Sequence, residues 1–314
     1  MNKKKLSIFF TDFWPNFRSD DNYFFHLLSE KYDLKIDSKN PDVLFYSADY
    51  GNVENHKKFN NDHTKKIFFS GETFNNINND SFSLTCNKNS ENNLRLPLWV
   101  IFIDWFDVKH DLKRDPSFLI PKSSLIKTKR ITSNFSPLFC SFIASKPSGL
   151  RVDFVPNLNK YKKTHNLGRL YNNSFYRIKG RGDQKYKLNA MKFFKFNIAF
   201  ENTLAEGYVT EKLIHSFYSK TIPIYWGSSE AKNDFNPNSF IYFNDYENED
   251  HLIEEILKIN GDLKELNRIL CEKINNDEIN IKDNNLIDHL YKTTMEKLSI
   301  DQPNYSGYLA EKNN

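Results

Sequence analysis

FNIAFENTLAEGYVTEKLIHSFYSKTIPIYWGSS, residues Phe196–Ser229, is the stretch on which the fold turns. FNIAF is a short β-rich run that ends at Glu201 and Asn202, polar residues that favour a turn. Gly207 permits a tight bend before a helix whose apolar positions Val209, Leu213 and Phe217 repeat at i, i+4 and i+8. TIPIYWG is the next strand, stopped by Gly227 and two serines. Strand, polar loop, helix and strand in this order predict a βαβ unit, and open α/β sheets bind ligands at such strand-to-helix crossings.

The residues at the crossing suit a nucleotide. The first turn of a helix offers unpaired backbone N–H groups and the positive end of its dipole, a seat for phosphate. Lys212 falls in that predicted turn. A cation there is unfavourable unless an anion lies near it. The Glu211 carboxylate can accept hydrogen bonds from both hydroxyls of a ribose. Asn202, Tyr208 and Thr210 add polar groups and a ring. On spacing alone, a solvated helix face explains Glu211 and Lys212 equally well.

FENTLAEGYVTEK followed by TIPIYWGS resembles the signature of the α1,3/1,4-fucosyltransferases of glycosyltransferase family 10, bacterial members above all. The similarity continues upstream in IFFSGE ending at Glu72, LRLPLW from Leu94 and FCSFIASKP from Phe139, and so covers most of the chain. The resemblance implies a GT-B fold, an α/β architecture of two Rossmann-like domains facing a cleft. It implies GDP-fucose as donor, inversion at the anomeric carbon and a glycan hydroxyl as acceptor. The expected acceptor is GlcNAc, linked α1,3, in a lipopolysaccharide-type glycan. Two other readings stay open: a relative using another nucleotide sugar, and an inactive glycan-binding module on the same fold.

Glu72 ends the run KKIFFSG, so a small glycine and a strand present it at a sheet edge. Read without the resemblance it is an exposed strand-end residue. The resemblance implies that it is the general base, removing the acceptor proton during attack on the sugar. Lys212 then stabilises the charge growing on departing GDP. The resembling enzymes also carry a Gly-rich turn and an arginine that clamps the donor phosphates. THNLGRLYNN corresponds to it here, with Tyr171 in the arginine's place. Arg169, just after Gly168, is the expected substitute, with Arg177 and Arg181 behind it.

Composition excludes other classes. Lys and Arg total 44 against 40 Asp and Glu, a net +4, too mild and too mixed for a nucleic-acid partner. Three cysteines, Cys86, Cys140 and Cys271, are odd in number and far apart, which points to a reducing compartment. MNKKKLSIFFTDFW has too short an apolar run for a signal or anchor. A cytoplasmic enzyme is expected, soluble or peripheral to the inner membrane. No His/Cys ligand spacing and no D-x-D triplet occur, so no metal site and no required cofactor are expected. G-x-S-x-G and G-x-x-x-x-G-K are also missing. The tripeptide Arg181-Gly182-Asp183 reads as a basic loop tip.

KLSIFF, DLKI, DVLFYS and KKIFFSGE read as strands, with a helix over 21–31 that places Phe24, Leu27 and Leu28 on one face. Alternating strands and helices predict a parallel sheet. The pattern breaks over 115–137. The expected division is therefore an acceptor-side domain at 1–136, a GDP-fucose domain at 137–300 and a tail at 301–314. A strand is expected near 239–243 and helices near 250–258, 262–274 and 284–298. The Asn-rich stretches 75–93 and 274–285 read as loops.

Overall fold

Two all-parallel sheets organise the chain, in a computed structural model that describes residues 3–15, 17–47, 54–73, 81–108, 119–126, 138–175, 177–178 and 184–274. The first is built from β1 (Lys4–Thr11), β2 (Tyr32–Ile36), β3 (Val43–Tyr46), β4 (Lys65–Phe69), β5 (Phe82–Thr85) and β6 (Asn93–Arg95) in the order β2-β1-β3-β4-β5-β6. α1 (Tyr23–Ser29) follows β1 and buries Tyr23, Phe24, Leu27 and Leu28, the face expected from their spacing. Asn22 caps it, its side chain accepting from the Phe25 amide at 2.9 Å.

The central strands of this sheet are apolar throughout rather than alternating. β3 is buried at all four positions, as a strand covered on both faces must be. The edge strand β2 is largely exposed, and its Asp33 and Lys35 discourage further strand addition. β5 lies inside the Asn-rich 75–93 stretch that reads as loop. Only four residues long, it is placed by its parallel pairing with β4, Ile67 opposite Phe82.

The second unit carries a short parallel pair, β7 (Ile103–Asp104) with β8 (Ile120–Pro121), then α2 (Lys122–Ile126). Its main sheet contains β9 (Leu138–Phe142), β10 (Thr164–Asn166), β11 (Phe194–Phe200), β12 (Ile222–Trp226) and β13 (Ile241–Tyr242) in the order β10-β9-β11-β12-β13. Between strands run α3 (Arg151–Tyr161), α4 (Gln184–Met191), α5 (Lys212–Tyr218) and α6 (Ala231–Asp234), and α7 (Glu249–Gly261) and α8 (Leu263–Cys271) follow. β11 and β12 pair from Phe196 opposite Ile222 to Phe200 opposite Trp226, so the predicted βαβ unit is present. The expected strand near 239–243 and the helices near 250–258 and 262–274 correspond to β13, α7 and α8. The helix expected near 284–298 lies outside the described residues.

The compact units divide after Leu96, some way before the expected break at 136. The segment from Pro97 onward packs into the second unit. Trp99 is buried there and its Nε1 donates to Asp234 Oδ2 at 3.0 Å. Phe102 meets the His215 ring edge-on with centroids 5.8 Å apart. Within 115–137 the described residues are those of β8 and α2 and their neighbour 119, so the break in apolar pattern does not mark the boundary that anchoring by these rings sets.

Candidate active site

In the second sheet the chain leaves β9 toward β10 on one side and leaves β11 toward β12 on the other. The carboxyl ends of β9 and β11 therefore bound the crevice where the strand order reverses, the place at which doubly wound sheets bind ligands. Arg151, at the start of α3, spans that reversal. One of its terminal nitrogens, Nη2, donates to the Phe200 carbonyl at 2.9 Å and to Asn202 Oδ1 at 2.8 Å. Its Nε is buried with no hydrogen-bond partner among the described residues. Gly149, at φ 56°, precedes it where a side chain would strike the Trp226 ring.

Glu201 does not begin an exposed turn. Its amide donates to the Trp226 carbonyl at 2.8 Å, and the side chain is fully buried. The carboxylate accepts from the Thr210 amide at 2.8 Å, from Thr210 Oγ1 at 2.8 and 3.0 Å, and from Lys212 Nζ at 2.7 Å. Gly227 makes room for this arrangement, since an added Cβ would lie 2.7 Å from Glu201 Cγ and 2.4 Å from Tyr225 Oη. Gly207 turns the loop at φ 76° and donates its amide to Ser228 Oγ at 2.9 Å. The bend expected at this glycine is present.

Lys212 is thus held by Glu201 and by Thr210 Oγ1, 2.8 Å away. Burial alone would lower its pKa, but Glu201 and then Glu211 outweigh that and raise it, so Lys212 stays charged. α5 starts at Lys212, with Glu211 at its cap, later than the pattern from Val209 predicts. Val209 is a buried loop residue instead. A helix of seven residues has a small dipole, so the fixed charges rather than the helix end set the field here.

Two further groups close the cluster. Lys187, on α4, lies with Nζ 3.7 Å from Glu211 Oε1. His215 is fully buried on α5, with Nε2 2.6 Å from Gln184 Nε2. Burial and the neighbouring Lys187 hold its pKa well below the usual imidazole value, so it is neutral. Burial would raise the Glu211 pKa, yet Lys212 and Lys187 together hold it well below the carboxylate range. A pocket lined by Arg151, Lys187, Lys212, Asn197 and His215 gathers three cations at the crevice. Such a field suits an anion with several oxygens.

Of the residues the sequence singles out, Glu211 and Lys212 join this cluster, and Asn202 meets it through Arg151. Thr210 is buried and spends its donors on Glu201. Tyr208 is 1% exposed, so its ring packs inside the unit rather than lying open. Arg169 does not join. It is exposed and makes no hydrogen bond or ion pair among the described residues. Gly168 beside it serves close packing instead, since a Cβ there would meet the Ala144 backbone at 2.3 Å. Arg177 is exposed, and Arg181 lies outside the described residues. Arg151, Lys187 and Glu201 were missed, although FCSFIASKP leads directly toward Arg151. Glu72 belongs to the first unit, where it is exposed after buried Gly71. Its amide donates to Ser70 Oγ at 3.2 Å. Among the described residues, no three or more His, Cys, Asp or Glu are grouped to hold a metal ion.

Two Rossmann-like units with all-parallel sheets, one bearing a cationic crevice at its switch point, define the GT-B class. A solved α1,3-fucosyltransferase with GDP-fucose shares this fold with TM-score 0.70 and 24% identity, over 96% of this chain and 93% of that one. Residues 136–272 match the C-terminal domain of glycosyltransferase family 10 (fucosyltransferase), and residues 8–102 match the α-(1,3)-fucosyltransferase FucT N-terminal domain. The chain belongs to glycosyltransferase family 10. Helicobacter pylori α-(1,3)-fucosyltransferase FucT is 30% identical over 264 residues, 76% of this chain and 53% of the relative. A putative fucosyltransferase R654 of Acanthamoeba polyphaga mimivirus is 31% identical over 142 residues, 43% of this chain and 24% of the relative. The chain thus spans about half the length of the first of these curated relatives and a quarter of the second. Among the described residues no helix is long and apolar enough to cross a membrane.

Proposed function

We propose that this protein transfers L-fucose from GDP-fucose to a glycan hydroxyl, with inversion at the anomeric carbon. The observation that carries the reading is the set of cations at the β9/β11 crevice. A diphosphate brings two negative charges that need fixed partners, and Arg151 and Lys212 are held there by hydrogen bonds before any ligand arrives. In this reading Arg151, rather than Arg169, supplies the arginine for the diphosphate. Glu211 takes the ribose hydroxyls, because its carboxylate is ionised and its side chain is not used to cap α5.

The reaction then needs one proton acceptor. As the acceptor oxygen bonds to the anomeric carbon, its proton passes to Glu72. The bond from that carbon to the phosphate oxygen breaks, and GDP departs with the electron pair. Lys212 and Arg151 stabilise the charge on the departing diphosphate. What supports Glu72 is its exposed carboxyl at the end of β4. The acceptor in this proposal is GlcNAc of a lipopolysaccharide-type glycan, linked α1,3, at the cytoplasmic side of a membrane.

GDP release from GDP-fucose with an N-acetyllactosamine acceptor tests the proposal. Transfer of fucose is the expected result. Tight GDP binding with no transfer to any glycan would leave only a binding module. The three cations also make a divalent metal dispensable in this reading, so activity should persist in EDTA. Complete loss, restored by manganese, would overturn that part.

A further inference from the structure

We propose that Lys187 is a ligand of the donor's phosphate groups, a third cation acting beside Arg151 and Lys212. The proposal rests on the donor-site reading above and names a contact that reading does not need.

α4 turns Lys187 inward. It shares a helix face with Met191, one turn later, and Met191 is fully buried. The Lys187 side chain is only 17% exposed, unusual for a lysine, and it ends in the pocket that Arg151 and Lys212 line. The three cations differ in how they are satisfied. Lys212 has acceptors at 2.7 and 2.8 Å, and Arg151 has acceptors at 2.9 and 2.8 Å. Among the described residues Lys187 has only the Glu211 ion pair at 3.7 Å, longer than an ordinary hydrogen bond.

A sheltered ammonium with three donors and one loosely held acceptor is costly. The cost is visible in its pKa, which burial lowers and nearby Lys212 lowers further, against the opposing pull of Glu211. A phosphate oxygen entering the pocket would accept the donors that Glu211 leaves unused. Lys212 is largely committed to Glu201, so the charge available to an incoming anion comes disproportionately from Lys187 and from the unpartnered Nε edge of Arg151.

The rival role is structural: Lys187 could act only by orienting Glu211 toward a ribose. Guanosine separates the two, because it carries the ribose and no phosphate. Titration calorimetry with GDP and guanosine on wild type, Lys187→Met and Lys212→Ala gives the test. The expected result for Lys187→Met is a loss of GDP affinity above tenfold, with guanosine affinity within threefold of wild type. Equal losses for both ligands would assign Lys187 to Glu211 and overturn the proposal. Unchanged GDP affinity in Lys187→Met alongside a large loss in Lys212→Ala would also overturn it, and would leave the donor site standing. Wild type that fails to bind GDP would instead sink the donor-site reading on which the proposal rests. If Lys187→Met does not fold, the wild-type protein still decides. GDP, and not guanosine, should shield Lys187 from an amine-reactive acetylating reagent, read by mass spectrometry. Equal labelling with and without GDP would overturn the proposal.

Discussion

The two sheets reverse strand order in the same way, yet the crevices they make carry opposite chemistry. In the first unit the reversal lies between β1 and β3, and the residue after β1 is Asp12, at φ 61°. Its buried carboxylate accepts from the Asn55 amide and Nδ2 at 3.1 and 3.0 Å, and from the His56 amide and Nδ1 at 2.9 Å each. Tyr46, from β3, stacks on His56 at 4.3 Å and shares a hydrogen bond with Ser81 Oγ at 2.7 Å. In the second unit the corresponding place holds Arg151, Lys187 and Lys212. Parallel topology makes a crevice in both units. Side chains set the difference: one crevice holds a carboxylate among aromatic rings, the other gathers three cations.

The largest effect is expected at Glu72, which belongs to the first unit and lies outside the cationic cluster. Glu72→Gln should lower turnover by roughly 10²–10⁴-fold while GDP affinity stays at the wild-type value. Turnover within about threefold would remove Glu72 from the role of base.

Next in size is the buried Glu201–Lys212 pair of the cationic cluster. Glu201→Ala leaves Lys212 without its carboxylate partner and the Thr210 amide without its acceptor, which should cost about 3–5 kcal/mol of unfolding free energy in a urea titration. A loss under about 1 kcal/mol would mean that the pair is not needed to hold the loop.

Binding variants sharpen the contrast. Arg151→Ala, Lys212→Ala and Glu211→Ala should each weaken GDP affinity more than tenfold, since hydrogen bonds to charged groups contribute about 1.5–3 kcal/mol. Arg169→Ala should leave it within about twofold. Calorimetry showing the reverse order for Arg151 and Arg169 would restore the sequence-based assignment.

The smallest effect is expected in the first crevice. Burial would raise the Asp12 pKa, but the hydrogen bonds from His56 and Asn55 together outweigh it and hold the pKa below the ordinary 3.8. A carboxylate depressed in the folded state stabilises above its unfolded pKa and loses that contribution as pH falls toward the folded value. Asp12→Asn should therefore cost about 1–3 kcal/mol near neutral pH. The gap from wild type should narrow below about pH 4, with GDP affinity unchanged throughout. A constant gap down to pH 3 would show that the charge on Asp12 contributes nothing.

Runs such as DVLFYS and FNIAF read as strands, and their alternation with helices indicated a parallel sheet, because a crossover helix is what joins parallel neighbours. Gly207 marked its turn for an equally local reason, since a positive φ favours glycine. Glu211 and Lys212 were legible as residue types beside a predicted helix start. Their partners were not. α3 carries Pro156 within it, which masks its helical pattern and with it the residue at its first position, Arg151. Glu201 looks like a turn former until the sheet buries it and Lys212 reaches back across the loop. Lys187 is one lysine among many until the packing of α4 turns it inward. Local sequence thus determined the class of fold and the polar residues at one crossing, because propensity, periodicity and glycine conformation act over a few neighbours. Only the tertiary structure decided where the domains divide and which cations share a pocket, because burial and charge pairing join residues far apart in the chain.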